Sequence, residues 1–200
     1  MTVHLDAGPA ARYFGSIAAP ELPTELLLAV RWPTPGRSFY ASRDGAATAG
    51  LGEAAVLATD GADRIERLAD RAEELLARLI PLDADAVMPP LIGGFAFADG
   101  VARSVGPWVG WAAARMVLCE VSLVRRGASH HLVAVAPEGA GREAARSLVN
   151  ERLDRALDGL LTAAALAGPS GEPGTPWGFV SDELAGGGAG SVRAFGVEGV

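Results

Sequence analysis

The chain has 200 residues, of which 50% are hydrophobic and 20% are charged. This composition excludes a wholly disordered protein, and the length predicts a single domain with its own core. A formal net charge of -7 argues against a general nucleic-acid binder, which needs a concentrated basic surface. The single cysteine excludes a disulfide framework and every metal site built from several cysteines.

Targeting and membrane signals are not found in the sequence. The start, MTVHLDAGPAARYF, contains an acid and no apolar core segment, so it does not read as a signal peptide. Arginines or acids interrupt every apolar stretch before it reaches the roughly 18 residues of a membrane span. We therefore expect a cytoplasmic protein with no membrane span and no nucleic-acid partner.

All 17 basic residues are arginine, and lysine is absent. Part of this absence reflects the Ala/Gly/Arg/Pro bias of the composition. Because arginine stays protonated, it cannot replace lysine as a Schiff-base amine or as an amine general base. Lysine-dependent chemistry is therefore excluded for this chain.

Short strands are predicted before residue 60. Glu25–Trp32 reads as an apolar strand that ends at Pro33. Arg37–Ser42 and Ala46–Leu51 flank an Asp-Gly tight-turn signal and predict a hairpin. We assign residues 1–19 to an N-terminal segment that we expect to be mobile.

The clearest helical pattern runs from Ala62 to Ile80. Asp60 is the predicted N-cap, Asp63 and Arg67 form an i,i+4 ion pair, and Pro81 ends the helix. The apolar residues recur at helical spacing and predict one buried stripe that packs on a sheet. These residues are Ile65, Leu68, Ala69, Ala72, Leu75, Leu76, Leu79 and Ile80.

The sequence between residues 91 and 166 predicts three strands and a helix. Leu91–Ala98 contains two glycines that indicate close approach of another backbone. Val117–Arg125 alternates apolar and polar residues, and a turn leads from it into Ser129–Ala136, which predicts a second hairpin. A second amphipathic helix is predicted over Arg142–Leu166 and ends before Gly168-Pro169.

These elements predict a single α+β domain over residues 20–167, of the α/β sandwich type. In it, an antiparallel sheet with hairpins is covered by two amphipathic helices. Residues 168–200 are rich in glycine and proline and lack periodicity, so we expect a disordered tail.

One glycine motif raises the question of nucleotide binding. Ala49–Ala55 reads AGLGEAA, which matches G-x-G-x-x-A. A dinucleotide fold needs a parallel βαβ unit and an acid about 20 residues further on, at the end of a second strand. That distance reaches Asp70 or Glu73, inside the predicted helix. A turn or bulge is the favoured interpretation, and a nucleotide-binding enzyme is a remote alternative.

The histidines and the cysteine give no reactive cluster. His130 and His131 are adjacent, so on a strand they point to opposite faces and cannot jointly hold one metal ion. His4 lies in the N-terminal segment and supports no site. Cys119 lies on the apolar face of a strand, where a buried small hydrophobe is favoured over a nucleophile.

Other catalytic patterns are also missing. The sequence has no G-x-S-x-G nucleophile elbow and no Walker loop, and most carboxylates fall on the polar faces of the two helices. Trp108 and Trp111 could line a pocket, although core packing or a subunit contact is commoner for such aromatics. These patterns assign no catalytic, cofactor-binding or metal-binding residue.

Four segments of the chain carry a similarity to known proteins over about residues 24–136. The segments are FYASRDGAATAGLGEAAVL, the helix Ala62–Ile80, PPLIGGFAFADG and WVGWAAARMVLCEVSLVRRG. Individually they are weak motifs, but in this order and at this spacing they resemble the N-terminal region of isochorismate synthases, within the wider family of chorismate-using enzymes. The sequence departs from the family pattern at two places: Ala41 stands where tryptophan is frequent, and Trp111-Ala112 where Phe-Pro is common.

The resemblance implies a fold and a parent activity. The fold is part of a larger α/β sandwich of antiparallel sheets covered by helices. The activity is the reversible isomerisation of chorismate to isochorismate with Mg²⁺, which feeds menaquinone or siderophore synthesis. In the family, a lysine activates water, a protonated glutamate assists departure of a hydroxyl, and glutamates bind the metal.

Those family residues lie in a C-terminal half that begins with a Lys-Val-Val-Leu-type motif, which this chain lacks. We therefore expect an N-terminal portion that is inactive alone, with no cofactor of its own: a truncated product, a frameshifted product, or half of a split enzyme. The alternative is a non-catalytic docking module. The expected partner is a separate C-terminal catalytic half or a second copy of the chain.

Overall fold

The computed structural model describes residues 11–41, 45–96 and 112–167. Within these ranges, nine strands form two sheets that two α-helices and a 3-10 helix cover, which confirms the predicted α+β class. The strands are β1 Arg12–Ala18, β2 Arg37–Ala41, β3 Ala47–Leu51, β4 Ala55–Thr59, β5 Leu79–Pro81, β6 Leu91–Phe95, β7 Ala114–Leu118, β8 Val121–Arg126 and β9 Ser129–Val135. The helices are the 3-10 helix Thr24–Ala29, α1 Arg64–Leu76 and α2 Arg142–Ala167.

The strands divide into a large and a small sheet. The large sheet has the order β2-β3-β8-β9-β1-β5, and the small sheet has the order β4-β7-β6. Both predicted hairpins are present as the antiparallel pairs β2–β3 and β8–β9. Among the described strands, β1 and β5 form the one parallel pair.

Two chain segments run through both sheets as a bent antiparallel ribbon. β3 pairs with β8 in the large sheet, and their continuations β4 and β7 pair in the small sheet. At the bend, the Glu120 amide donates to the Leu51 carbonyl at 3.0 Å and the Ala54 amide to the Leu118 carbonyl at 2.8 Å. The strand predicted over Val117–Arg125 is therefore corrected to two strands in different sheets.

Two cores lie on opposite faces of the large sheet. On one face, α2 and the 3-10 helix bury an aliphatic cluster that includes Leu27, Leu123, Leu132 and Leu153. On the other face, α1 and the small sheet enclose a second cluster, in which Leu68 and Leu75 of α1 are buried. This layered packing brings the small sheet against one half of the large sheet and leaves a groove between them.

The predicted strand Glu25–Trp32 is wrong, because Thr24–Ala29 forms a 3-10 helix. A short apolar run has no periodicity that separates a buried strand from a buried helical turn. The 3-10 conformation buries Leu27 completely in the core against the large sheet.

The first α-helix is shorter than predicted. α1 ends at Leu76, and Leu79–Pro81 forms β5, which pairs with β1. The N-cap position is Asp63 rather than Asp60. The predicted stripe is also wrong at two members: Ile65 is 52% exposed and Ala69 is exposed too, while Arg64, next to Ile65, is buried.

Residues 12–18 lie within the segment assigned to a mobile N-terminus. The structure instead places them as β1, between β9 and β5 in the large sheet. The second helix runs as predicted and extends to Ala167. Residues 1–10, the end of the predicted strand at 97–98 and the predicted tail 168–200 lie outside the described residues.

Candidate functional site

A groove of about 420 Å³ lies where the two sheets approach each other. Tyr40 and Thr48 come from β2 and β3 of the large sheet, and Met116 comes from β7 of the small sheet. Arg125 and Arg126 close one side of the groove at the end of β8. The other lining residues are Ala46, Pro90, Leu91, Ile92, Gly93 and Val124.

The polar groups of this groove suit binding rather than bond breaking. Tyr40 and Thr48 offer hydroxyl groups, and Arg126, which lies on the same face of β8 as Val124, offers positive charge. Arg125 is held in place because its Nε donates to the carbonyl of Gly45 at 2.9 Å. The described lining contains no carboxylate, histidine or cysteine, so it brings no carboxylate–base pair or thiol to a ligand.

A partly buried polar cluster surrounds Glu120 at the bend of the ribbon. The Glu120 carboxylate accepts a hydrogen bond from Trp32 Nε1 at 2.9 Å and another from Thr34 Oγ1 at 2.9 Å. Arg152 of α2 lies 3.4 Å away, and its side chain is 19% exposed. The guanidinium of Arg155 lies 5.9 Å from the centre of the Trp32 ring. The carboxylate is occupied by these partners, so we assign it a structural role.

Sequence reasoning did not single out this cluster. The alternation over Val117–Arg125 marks Glu120 only as a polar strand residue, and the apolar run Glu25–Trp32 predicts Trp32 in a strand that does not form. The one available signal was an acid within the apolar run VLCEVSLV. Buried acids require partners, but those partners lie 32 to 88 positions away in sequence.

The glycine motif AGLGEAA shapes the same bend. Gly50 lies in β3, and Gly52 has a φ of 68° at the point where the chain leaves the large sheet. The chain then enters β4, an antiparallel strand, rather than a helix. Asp70 and Glu73 lie on the exposed surface of α1. The motif therefore lacks the parallel strand–helix–strand context of a dinucleotide site. Gly50 is part of β3, and Gly52 forms the turn.

The remaining candidates form no reactive cluster, and Cys119, which is predicted on a strand, lies instead between the end of β7 and the start of β8. His130 and His131 lie next to each other on β9, so their side chains point to opposite faces of the large sheet. Cys119 is buried beside Ile92 and Val117. Burial raises the pKa of the Cys119 thiol from 9.0 to about 11, which disfavours the reactive thiolate.

The possible metal ligands of the chain are its histidine, cysteine, aspartate and glutamate side chains. Within the described ranges, no three histidine, cysteine, aspartate or glutamate side chains come together in a way that could hold an ion. These residues therefore do not fit the Mg²⁺ that the family resemblance implies. His4, Trp108 and Trp111 lie outside the described residues.

A helix that spans a membrane needs about 20 consecutive, mostly apolar residues. Over the part of the chain that the structure describes, no helix combines the length and the apolar character needed to cross a membrane.

A mixed six-stranded sheet packed against a three-stranded antiparallel sheet, with helices on both faces of the large sheet, defines an α+β sandwich domain. The sequence profile of the family described as "Chorismate binding enzyme" matches residues 16–169, from within β1 to just beyond α2. Since this match spans more than half of the chain, the protein belongs to the chorismate binding enzyme family. No curated protein matches the chain.

Proposed function

We propose that this chain is the N-terminal part of an isochorismate synthase-like enzyme and that it does not convert chorismate by itself. Membership of the chorismate binding family supports the substrate class. Three of the four segments that resemble isochorismate synthases form the ribbon and its neighbouring strands β2 and β6. The observation that carries the proposal is the absence of lysine from all 200 residues.

The chemistry explains why lysine matters. In the parent reaction that the resemblance implies, a lysine takes a proton from the water that adds to the ring. An arginine holds its proton throughout the physiological pH range and cannot act as this base. The groove between the sheets brings arginines and hydroxyl groups, so it does not supply the missing base.

The resemblance places the metal site of the parent reaction in the C-terminal half of the family, which also carries the catalytic lysine. In the family, glutamates of that half bind the Mg²⁺. We therefore assign no catalytic, cofactor-binding or metal-binding residue in this chain. The partner we propose is a separate C-terminal half that carries both groups.

The test is a direct assay. The full chain is incubated with chorismate and Mg²⁺, and isochorismate is measured by chromatography beside an active isochorismate synthase and a sample without protein. We expect the chain to give the same signal as the protein-free sample. Isochorismate above that baseline, in proportion to the amount of chain, would show that the proposal is wrong.

The alternative proposal is a docking module that associates with another chain or with itself. It is supported by Phe95, a large apolar side chain that is 45% exposed on β6, an edge strand of the small sheet. An exposed apolar group on an edge strand forms a surface on which another chain can pair.

Sedimentation velocity over a range of concentrations tests this alternative. A docking module that uses this surface should self-associate as concentration rises, and Phe95→Ser should weaken the association. Ile65→Ser removes an equally exposed apolar group from α1 and serves as the matched control. A chain that stays monomeric at the highest concentration would count against self-association.

A further inference from the structure

The turn between β4 and α1 forms hydrogen bonds to Ala96, which follows β6, and to Ala113, which precedes β7. We call Thr59–Arg64, which joins β4 to α1, the β4–α1 corner. The Asp60 carboxylate accepts a hydrogen bond from the Ala113 amide at 2.8 Å. The Arg64 guanidinium donates to the Ala96 carbonyl at 2.9 Å. Ala96 and Ala113 also bond to each other, with the amide of the first 2.7 Å from the carbonyl of the second.

The corner itself is tightly built. Arg64 is 8% exposed, and its second guanidinium nitrogen donates to the Gly61 carbonyl at 3.2 Å. The Thr59 hydroxyl, also buried, donates to the carbonyl of Arg64 at 2.7 Å. Gly61 has a φ of 94°, in the region that favours glycine. A charged side chain buried in this way is costly to move, so the corner keeps its shape.

We propose that the β4–α1 corner couples α1 to the β6–β7 hairpin, so that the two open and close as one unit. The bonds to Ala96 and Ala113 come from one turn, and that turn begins α1. Opening α1 from its N-terminal end therefore removes the partners of both hairpin ends. The inference concerns local unfolding and does not depend on the proposed function.

Native-state hydrogen exchange of the full chain tests the coupling. Glu73→Gly loosens α1 at an exposed position and should speed exchange of α1 amides about fivefold. If α1 and the hairpin are coupled, the amides of Ala96 and Ala113 should speed up by a similar factor. The amide of Leu132, in the large sheet, should keep its rate and serves as the internal reference.

A second set of variants separates the corner from the apolar packing of α1 on β7. In a double Asp60→Ala, Arg64→Met background, which removes both bonds to the hairpin, Glu73→Gly should still loosen α1 but should no longer change exchange at Ala96 and Ala113. Arg31→Met, which changes an exposed arginine outside the corner, should leave the coupling intact. If the double variant does not fold, Asp60→Ala alone replaces it; this variant removes the acceptor of the Ala113 amide and should abolish the coupling at Ala113.

Two results would overturn the inference. The first is unchanged exchange at Ala96 and Ala113 when Glu73→Gly has loosened α1. The second is coupling that persists at either amide in the double variant, or at Ala113 in Asp60→Ala, since packing alone would then carry it. Loss of coupling in those backgrounds, with retention in Arg31→Met, supports it.

Discussion

Arg152 on α2 places its guanidinium 3.4 Å from the carboxylate of Glu120, at the bend where the ribbon passes from the large to the small sheet. Arg152 also donates to the carbonyl of Val135 in β9. The pair therefore ties a helix, a central strand and the bend together. Because both side chains are largely buried, neither charge has full access to water, and each depends on the other.

Replacing Glu120 by glutamine should destabilise the fold by about 1–3 kcal/mol. The amide retains one oxygen acceptor for Trp32 or Thr34, but it leaves the cation of Arg152 without its carboxylate. Urea unfolding followed by circular dichroism measures the free energy of unfolding. Glu73→Gln, at an exposed position of α1, should stay within about 0.5 kcal/mol of the parent chain. Equal stability of the two variants would contradict the structural role of Glu120.

Gly52→Ala should cost more than Gly127→Ala, although both positions have positive φ, 68° and 59°. Both variants carry the cost of a left-handed alanine, about 1–2 kcal/mol. At Gly52 the new Cβ would also lie 2.7 Å from Thr34 Oγ1 and 2.8 Å from the Glu120 side chain. At Gly127 nothing lies within 4 Å of it. The excess loss at Gly52, about 1 kcal/mol or more, should appear in thermal or urea unfolding.

The adjacent glycines of β6 should respond differently to alanine. A Cβ at Gly93 would overlap the backbone of Arg115 and Met116 in β7, which cannot move without disturbing the strand pair. Gly93→Ala should therefore cost about 2 kcal/mol or more, and it should disturb the small sheet. Gly94→Ala meets open space and should change stability by less than about 0.5 kcal/mol. Similar melting temperatures for the two variants would contradict this packing.

Cys119 should make stability fall at high pH. Its folded-state pKa of about 11 lies above the ordinary value of 9.0, so the folded chain holds this proton more tightly than the unfolded chain. The contribution is fully present below about pH 9 and is lost as pH rises toward 11, with a slope of at most about 1.4 kcal/mol per pH unit. Cys119→Ala should flatten the stability profile in this window. Parallel profiles for the two chains would show that the thiol is not buried.

Thiol labelling gives a second measurement of the same burial. At pH 8, an aromatic disulfide reagent should label Cys119 slowly in the folded chain and at once in denaturant, because the folded thiol is buried and protonated. Fast labelling without denaturant would contradict the position of Cys119 between the sheets.

The two predicted hairpins and α2 were readable from sequence because their signals are local. An Asp-Gly turn, alternating residues and a long helical repeat need no distant partner to be interpreted. The two glycines of β6 predict that another backbone lies close to this strand, and in the structure it lies close to Gly93 alone. A Cβ would overlap the backbone of β7 at Gly93 but not at Gly94. This difference depends on how β6 packs against β7, which the sequence of β6 alone does not show.

The errors share one cause. Arg12–Ala18, Thr24–Ala29 and Leu79–Pro81 are short stretches whose conformation depends on contacts with distant residues. β1 pairs with β9, more than 100 positions away, and β5 forms only because β1 lies beside it. The division of Val117–Arg125 into two strands follows likewise from the bend in the ribbon.

The sequence by itself determined the α+β class, the family resemblance and the exclusion of lysine chemistry, because composition, periodicity and motif order are properties of the linear chain. Only the tertiary structure decided that the ribbon bends between two sheets, that Glu120 is satisfied by Trp32, Thr34 and Arg152, and that a groove lies between the sheets. These features arise from groups far apart in sequence, whose contact depends on how the whole core packs.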